Sequence, residues 1–317
     1  MPFRLPWIAA SPAAAAAPEE SLADALASVR RLELAPGRLV TDVLSGGFRS
    51  SFRGGGVEFS DVREYVEGDD PRSVDWNVTA RMGRPFVKRF VEERERTLVF
   101  VQDLGAGMQA GIGAWSLRQL GARVAACLCR MAIDNHDRVG LFAGVTGDER
   151  LVPAKKGPAH VLRVLRDVVE APLRPRAADL SAMLAAVGGR LRRRAVVFVL
   201  SDFAGNAPIA GLSSVARRHD VVCVRLLARE LVAPPRALLD VADPHGGRGA
   251  TIDFTAEPVR AAWAARVAAW RRARAEEIAR AGADGFDVVV PERADADAVG
   301  RPLARFFRRR SLQGAAR

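Results

Sequence analysis

Two carboxylates at the ends of strand-like runs are the residues whose type and placement could do chemistry in this chain. TLVFVQDLG (97–105) closes on Asp103, AVVFVLSDF (195–203) closes on Ser201 and Asp202, and Asp179 stands before a further apolar stretch. Carboxylates so placed can cap loops and helix N-termini by accepting from backbone N–H groups. Beyond this the catalytic repertoire is thin. There is no G-x-x-x-x-G-K-[ST], and the Asp103 turn carries no G-x-G-x-x-G, so no nucleotide pocket is indicated. Ser201 has neither a nucleophile elbow nor an assignable base. His136, His160, His219 and His245 fall at predicted loops or helix ends without metal-ligand spacing, and Cys127-x-Cys129 puts one thiol on an apolar helix face, too few ligands for zinc. No enzyme activity is predicted.

The elements that must position Asp103 and Asp202 alternate. After the strand at 97–105 comes a helix with Leu117, Leu120, Val124, Cys127, Leu128 and Met131 at three- and four-residue spacing, then strands at 138–145 and 149–155. Helices are expected at 158–170, 179–192, 208–218 and 257–281. Strands are expected at 195–203, 220–228 and 286–291. The pattern predicts an α/β fold: a Rossmann-like, mainly parallel sheet with helices on both faces. It divides the chain into a flexible leader (1–19), an N-terminal helix and loop-rich charged arm (20–96), the α/β domain (97–295) and a basic C-terminal helix or tail (296–317). An amphipathic stretch, Leu22, Leu26, Val29 and Leu32, begins the second part, and in the last part Leu303, Phe306 and Phe307 give an arginine-rich helix one apolar side. Docking of that side on the domain is expected ahead of binding to acidic lipid or a partner.

The arm is dense in alternating acids and bases and buries little apolar surface, so ion pairs and hydrogen bonds must hold it. One reading pairs Glu58, Asp69, Asp70 and Asp75 internally with Arg63, Arg72 and Arg81, with Tyr65 and Trp76 as buried anchors. A second gives part of the surface to another protein, where Arg, Tyr and Trp are favoured. Both stand together.

Gly56-Val57-Glu58-Phe59, Arg63, Tyr65, Gly68-Asp69-Asp70-Pro71-Arg72, Asp75-Trp76, Thr79-Ala80-Arg81 and Val87-Lys88 through Glu92-Glu93 closely resemble the signature of the DUF58 family. In that family the signature precedes a von Willebrand factor A-like (vWA-type) domain, and the resemblance covers roughly residues 40–290. Related A domains bind Mg²⁺ through a D-x-S-x-S loop, a threonine from a second loop and an aspartate from a third. At the matching positions this chain has Asp103, Gly105, Gly107, Ala178 and Asp202, so three hydroxyl ligands are missing and the site is degenerate. No cofactor is expected, and Mg²⁺ on Asp103 and Asp202 is disfavoured. The resemblance further implies a non-enzymatic adaptor working with a MoxR-type AAA+ ATPase in assembly or maturation of a client protein complex, with metal-cofactor or methanol dehydrogenase maturation as an extension.

Composition sets the competing class. The 317 residues carry a net charge of +11, with only three lysines (Lys88, Lys155, Lys156) among 48 basic residues. That arginine excess accompanies an alanine-rich composition and follows from a GC-rich genome as readily as from function. A nucleic-acid-binding basic protein is the alternative, weakened by the lack of any recognised binding motif. No apolar run reaches the length of a membrane span. The Ala- and Pro-rich start is read as a leader rather than a cleaved signal, the three cysteines as core thiols, and the location as cytoplasmic.

Overall fold

The computed structural model describes residues 57–315 except 93–94, 112, 146, 173, 175–176, 205–207, 242–248 and 296, together with Ala23 and Ala27; for 57–61, 71, 88–92 and 313–315 it describes the backbone alone. The leader, the stretch from Leu22 to Leu32 and Glu93 therefore lie outside the described residues, as do the side chains of Glu58, Phe59, Lys88 and Glu92.

Six strands form the central sheet. They are β3 (Thr97–Asp103), β4 (Arg138–Val145), β5 (Asp148–Lys155), β6 (Val196–Ser201), β7 (Asp220–Leu227) and β10 (Asp284–Val289), in the order β10-β7-β6-β3-β4-β5. All neighbours are parallel except β4 and β5. The order is that of a doubly wound sheet, so the expected Rossmann-like, vWA-type arrangement is the one observed. Its inner strands are apolar without interruption because both faces are covered. Alternate residues feed opposite cores: Leu98, Phe100, Phe198 and Leu200 enter one, Val99, Val101, Val197 and Val199 the other.

The first core is closed by α2 (Leu117–Asp134), α3 (Pro158–Glu170), α7 (Glu257–Arg280) and α8 (Asp297–Ala315). The second is closed by α4 (Leu180–Arg190), α5 (Leu212–Arg218) and the last turns of α7, where Ile278 enters it. Helix α2 starts on a capping box, in which Ser116 Oγ accepts from the Gln119 N–H while the Gln119 side chain accepts from the Ser116 N–H. It is buried on more than one side, which corrects the reading of a single apolar face: Cys127 and Cys129 are both buried, as is Cys223, and all three are free. Burial pushes the Cys223 thiol up to about 12, so these are inert core groups.

The arm is more regular than its composition suggests. β1 (Val57–Glu64) and β2 (Phe86–Glu92) form an antiparallel hairpin, and α1 (Trp76–Met82) fills the connection. A second hairpin, β8 (Leu238–Val241) with β9 (Ala250–Asp253), follows the short α6 (Arg229–Val232). Neither hairpin stands out in the sequence: β8 and β9 are four residues each, and β1 and β2 lie in a charge-dense run with no long apolar stretch. The C-terminal helix docks as expected, with Leu303, Phe306 and Phe307 buried in the first core. Among the described residues no helix is long and apolar enough to cross a membrane.

Candidate functional site at the carboxyl end of the sheet

Strand order reverses at β3: the chain runs outward through β4 and β5 on one side and through β6, β7 and β10 on the other. The crevice between the carboxyl ends of β3 and β6 is thus the switch point, where open α/β sheets place their sites. Asp103 ends β3 and Ser201 ends β6, and pairing of Gln102 with Leu200 brings them side by side. Asp103 is used twice over. Its Oδ1 accepts from the Gly105 N–H at 2.7 Å and its Oδ2 accepts from the Ser201 hydroxyl at 2.7 Å. Ser201 Oγ in turn accepts from the Phe203 N–H at 3.1 Å.

Asp202 faces a drier environment. Its Oδ1 accepts from the Ala204 N–H at 2.9 Å, while Oδ2 is buried with no hydrogen-bond partner among the described residues. The turn that holds it is strained: Phe203, buried and bulky, sits at φ 55°, in the left-handed region. On the other side of β3, Leu104 donates to Gly144 O at 3.1 Å. Gly144 has to be glycine there, since it takes φ 148° and a Cβ would lie 2.3 Å from the Asp148 carbonyl oxygen.

The positions matched to the Mg²⁺-binding pattern hold few oxygen donors. Gly105 and Gly107 contribute no side chain, and Ala178 is a partly buried methyl group packed against the second core. Asp179 caps α4, accepting from the Ala182 N–H at 3.1 Å, and is exposed. The Ser201 hydroxyl gives its proton to Asp103. Among the described residues no group of three or more His, Cys, Asp or Glu side chains could hold a metal ion. The backbone does not call for glycine at 105, which sits at φ −69°, ψ 168°, a conformation open to any residue.

Burial is the main cause that pushes the Asp202 carboxyl up to about 6, with the Ala204 N–H and the Ser201 hydroxyl opposing it. An unfolded chain releases that proton near pH 3.9, so between these values the native state holds a proton the unfolded chain has lost. This group's contribution to stability is full below about pH 4 and is lost as pH rises through 6. Asp202→Asn keeps the acceptor for Ala204 and removes the titration. Relative to the natural chain, the variant is expected to gain about 2 kcal/mol between about pH 4.5 and pH 7.5. Paired thermal melts across that range check it, and parallel curves would sink it. Asp137, at the start of β4, is also raised to about 6 by burial, but it is common to both proteins and cancels.

The arm differs from its expected ion-pair lattice. Arg63 makes a bidentate pair with Asp69, at 2.7 and 2.6 Å, and this partner holds the half-buried Asp69 carboxyl below its usual range. Gly68 permits the turn between them at φ 108°. Tyr65 donates to the Asp69 carbonyl oxygen at 3.2 Å. Asp70 accepts from the Arg72 N–H, and Asp75 caps α1 by accepting from the N–H groups of Asn77 and Val78. The acids expected to pair with Arg72 and Arg81 are thus spent on backbone, and both arginines are exposed with no ion-pair partner among the described residues. Trp76 is no buried anchor. It is 72% exposed, beside Met82 at 62% and Val66 at 61%, because α1 buries none of its residues.

Sequence reasoning placed Ser201 near Asp103 but not as its hydrogen-bond donor. It also passed over Arg225, buried on β7 and paired with Asp287 at 2.5 Å. The signal was present: an arginine inside VVCVRLL must find a carboxylate.

Comparison with known proteins gives fold likenesses and a family. BatB, a conserved hypothetical protein from Bacteroides thetaiotaomicron, is similar with a TM-score of 0.40 at 12% identity over 68% of this chain and 99% of that chain. The SpRpn10 VWA domain is similar with a TM-score of 0.39 at 9% identity over 66% and 96%. Neither likeness is close enough to bring a function with it. Uncharacterized protein Rv1480 of Mycobacterium tuberculosis (strain ATCC 25618 / H37Rv) and uncharacterized protein Mb1516 of Mycobacterium bovis are each 30% identical over 253 residues, 78% of this chain and 78% of the relative. The family model described as "Protein of unknown function DUF58" matches residues 61–273, and the chain belongs to that family.

Proposed function

We propose that this chain is a non-enzymatic adaptor that binds proteins through its signature arm, without a cation at the switch point, and works beside a MoxR-type AAA+ ATPase on a client complex. The observation that carries the reading is Trp76, 72% exposed on a helix that buries nothing. A tryptophan costs the free protein solubility there and returns nothing to folding, whereas Trp and Arg dominate the energetics of protein interfaces. Met82 and Val66 are further exposed apolar side chains of the arm, and Arg72 and Arg81 are exposed on it with no ion-pair partner among the described residues. At the switch point both oxygens of Asp103 are committed within the chain, which supports a structural use of that residue.

The test is direct complex formation between the full chain and a MoxR-type ATPase from the same organism, with and without ATP, followed by the Trp76→Ala, Met82→Ser double variant. Affinity is expected to fall at least ten-fold, about 1.4 kcal/mol or more, with an unchanged melting temperature. No complex with the natural chain under either nucleotide condition would refute the ATPase pairing. Equal affinity of natural chain and variant would refute the arm as its surface.

A further inference from the structure

The central sheet has two edges, and they are treated differently. The β5 edge carries Pro153 and the charges Asp148, Glu149, Arg150 and Lys155, the usual guards against pairing with another chain. The β10 edge, Asp284–Val289, has no proline. Its hydrogen-bonding phase follows from the Val290 N–H, which donates to Leu227 O on β7 at 2.9 Å. The N–H and C=O of one strand residue point to the same side, and sides alternate along the strand. Residues 284, 286 and 288 therefore face β7, and Gly285, Asp287 and Val289 turn their backbone outward. The phase agrees with the one contact made there among the described residues, from Arg309 Nη2 to Gly285 O at 3.5 Å, a long bond.

Clefts flank this edge on both faces. One of about 270 Å³ is lined by Phe286, Asp287, Pro302, Arg305, Phe306 and Arg309; the other, of about 130 Å³, runs along Ala275, Ala279, Asp284 and Gly285 on the side of the last turns of α7. Arg309 borders both and so lies across the strand's outer rim. The acids of β10 are paired, Asp287 with Arg225 and Arg271 and Asp284 with Arg310, so the charge left over there is basic. From Arg301 onward α8 carries five arginines and no acid. Arg310 is committed to Asp220 and Asp284, and Arg301 to Asp297, while Arg305 and Arg308 are exposed with no ion-pair partner among the described residues.

We propose that the β10 edge takes up an extended acidic segment of a partner protein as a seventh strand. Its backbone pairs with Gly285, Asp287 and Val289, its carboxylates meet Arg305 and Arg309, and Arg309 leaves the Gly285 carbonyl as the segment enters. A row of alternating N–H and C=O groups along about 20 Å of strand is met in full only by another polypeptide backbone, which favours a peptide over a nucleic acid on the same arginines. The proposal rests on the reading of the chain as a protein-binding module and names a second surface of it, apart from the arm.

The probe is a fluorescent, end-capped octapeptide of alternating valine and glutamate, followed by anisotropy. Three comparators accompany it: the same peptide with every second amide N-methylated, its lysine counterpart, and single-stranded oligothymidine. Two variants accompany the natural chain. Arg305→Glu reverses an exposed charge, and Val289→Pro removes an outward N–H at an edge position where proline is tolerated. Binding of the acidic peptide is expected with the natural chain, at least ten-fold weaker with Arg305→Glu, and absent for the N-methylated and lysine peptides. Val289→Pro, if its melting temperature is kept, is expected to weaken binding likewise; if it unfolds, the N-methylated peptide tests the same hydrogen bonds. No binding of the acidic peptide overturns the proposal, and so does equal binding of its N-methylated form. Displacement of the peptide by oligothymidine, with the same loss in Arg305→Glu, assigns the surface to nucleic acid instead. A chain that forms the ATPase complex but ignores the peptide loses the edge alone; a chain that binds the peptide but no ATPase loses the ATPase pairing alone.

Discussion

Asp103→Ala is expected to cost about 2–4 kcal/mol of stability, because it leaves the Gly105 N–H and the Ser201 hydroxyl without an acceptor in a site closed to water. For a domain of this size that lowers the melting temperature by roughly 5–15 °C. Asp103→Asn keeps an oxygen for Gly105 and offers Ser201 an amide to pair with, so it is expected to cost less than half as much. Neither excess Mg²⁺ nor EDTA is expected to move the melting temperature or the partner affinity of the natural chain, since both Asp103 oxygens are already engaged. A stabilisation by Mg²⁺ that EDTA reverses would show that water and main-chain oxygens stand in for the missing hydroxyls, and the structural assignment of Asp103 would fail. An alanine variant that melts with the natural chain would fail it too.

Phe307→Ala is expected to cost about 3–5 kcal/mol, the usual price of deleting a fully buried aromatic side chain and leaving a cavity. Phe307 is 0% exposed, meets Phe306 edge-on at 5.3 Å between ring centroids, and through it joins the stack of Phe306 on Phe286 at 4.7 Å. Arg310 fastens the same helix to Asp220 and Asp284. Leu312→Ala, at a position 65% exposed, is the control and is expected to change nothing. The measurement is chemical denaturation of both variants with binding to anionic vesicles alongside. Were α8 a membrane-seeking helix, Phe307→Ala would leave stability untouched and abolish vesicle binding; its packing implies the opposite.

Both predictions concern features that were legible to different depths. The three apolar phenylalanine and leucine positions of α8 were visible as a helical stripe, and docking followed from their spacing. The role of Asp103 was visible only as a position. That it ends a strand is written in TLVFVQD, but that its proton donor is Ser201 depends on a residue 98 positions away arriving next to it. The arm shows the opposite failure. Its acids and arginines read as ion pairs, yet Asp70 and Asp75 serve backbone N–H groups of a turn and a helix cap, competitors that composition does not display.

By itself the sequence determined the architecture. Runs such as VVFVL can be satisfied only where both sheet faces are covered, and three- and four-residue spacing between them supplies the covering helices. These are local patterns, and each segment carries its own. The tertiary structure decided that both Asp103 oxygens are engaged while Asp202 Oδ2 has no partner among the described residues, that Trp76 faces solvent while Arg225 is buried against Asp287, and that β10 ends the six-stranded sheet. Those outcomes depend on strand order and register, which bring together residues far apart in the chain, and no local periodicity encodes which distant group will arrive.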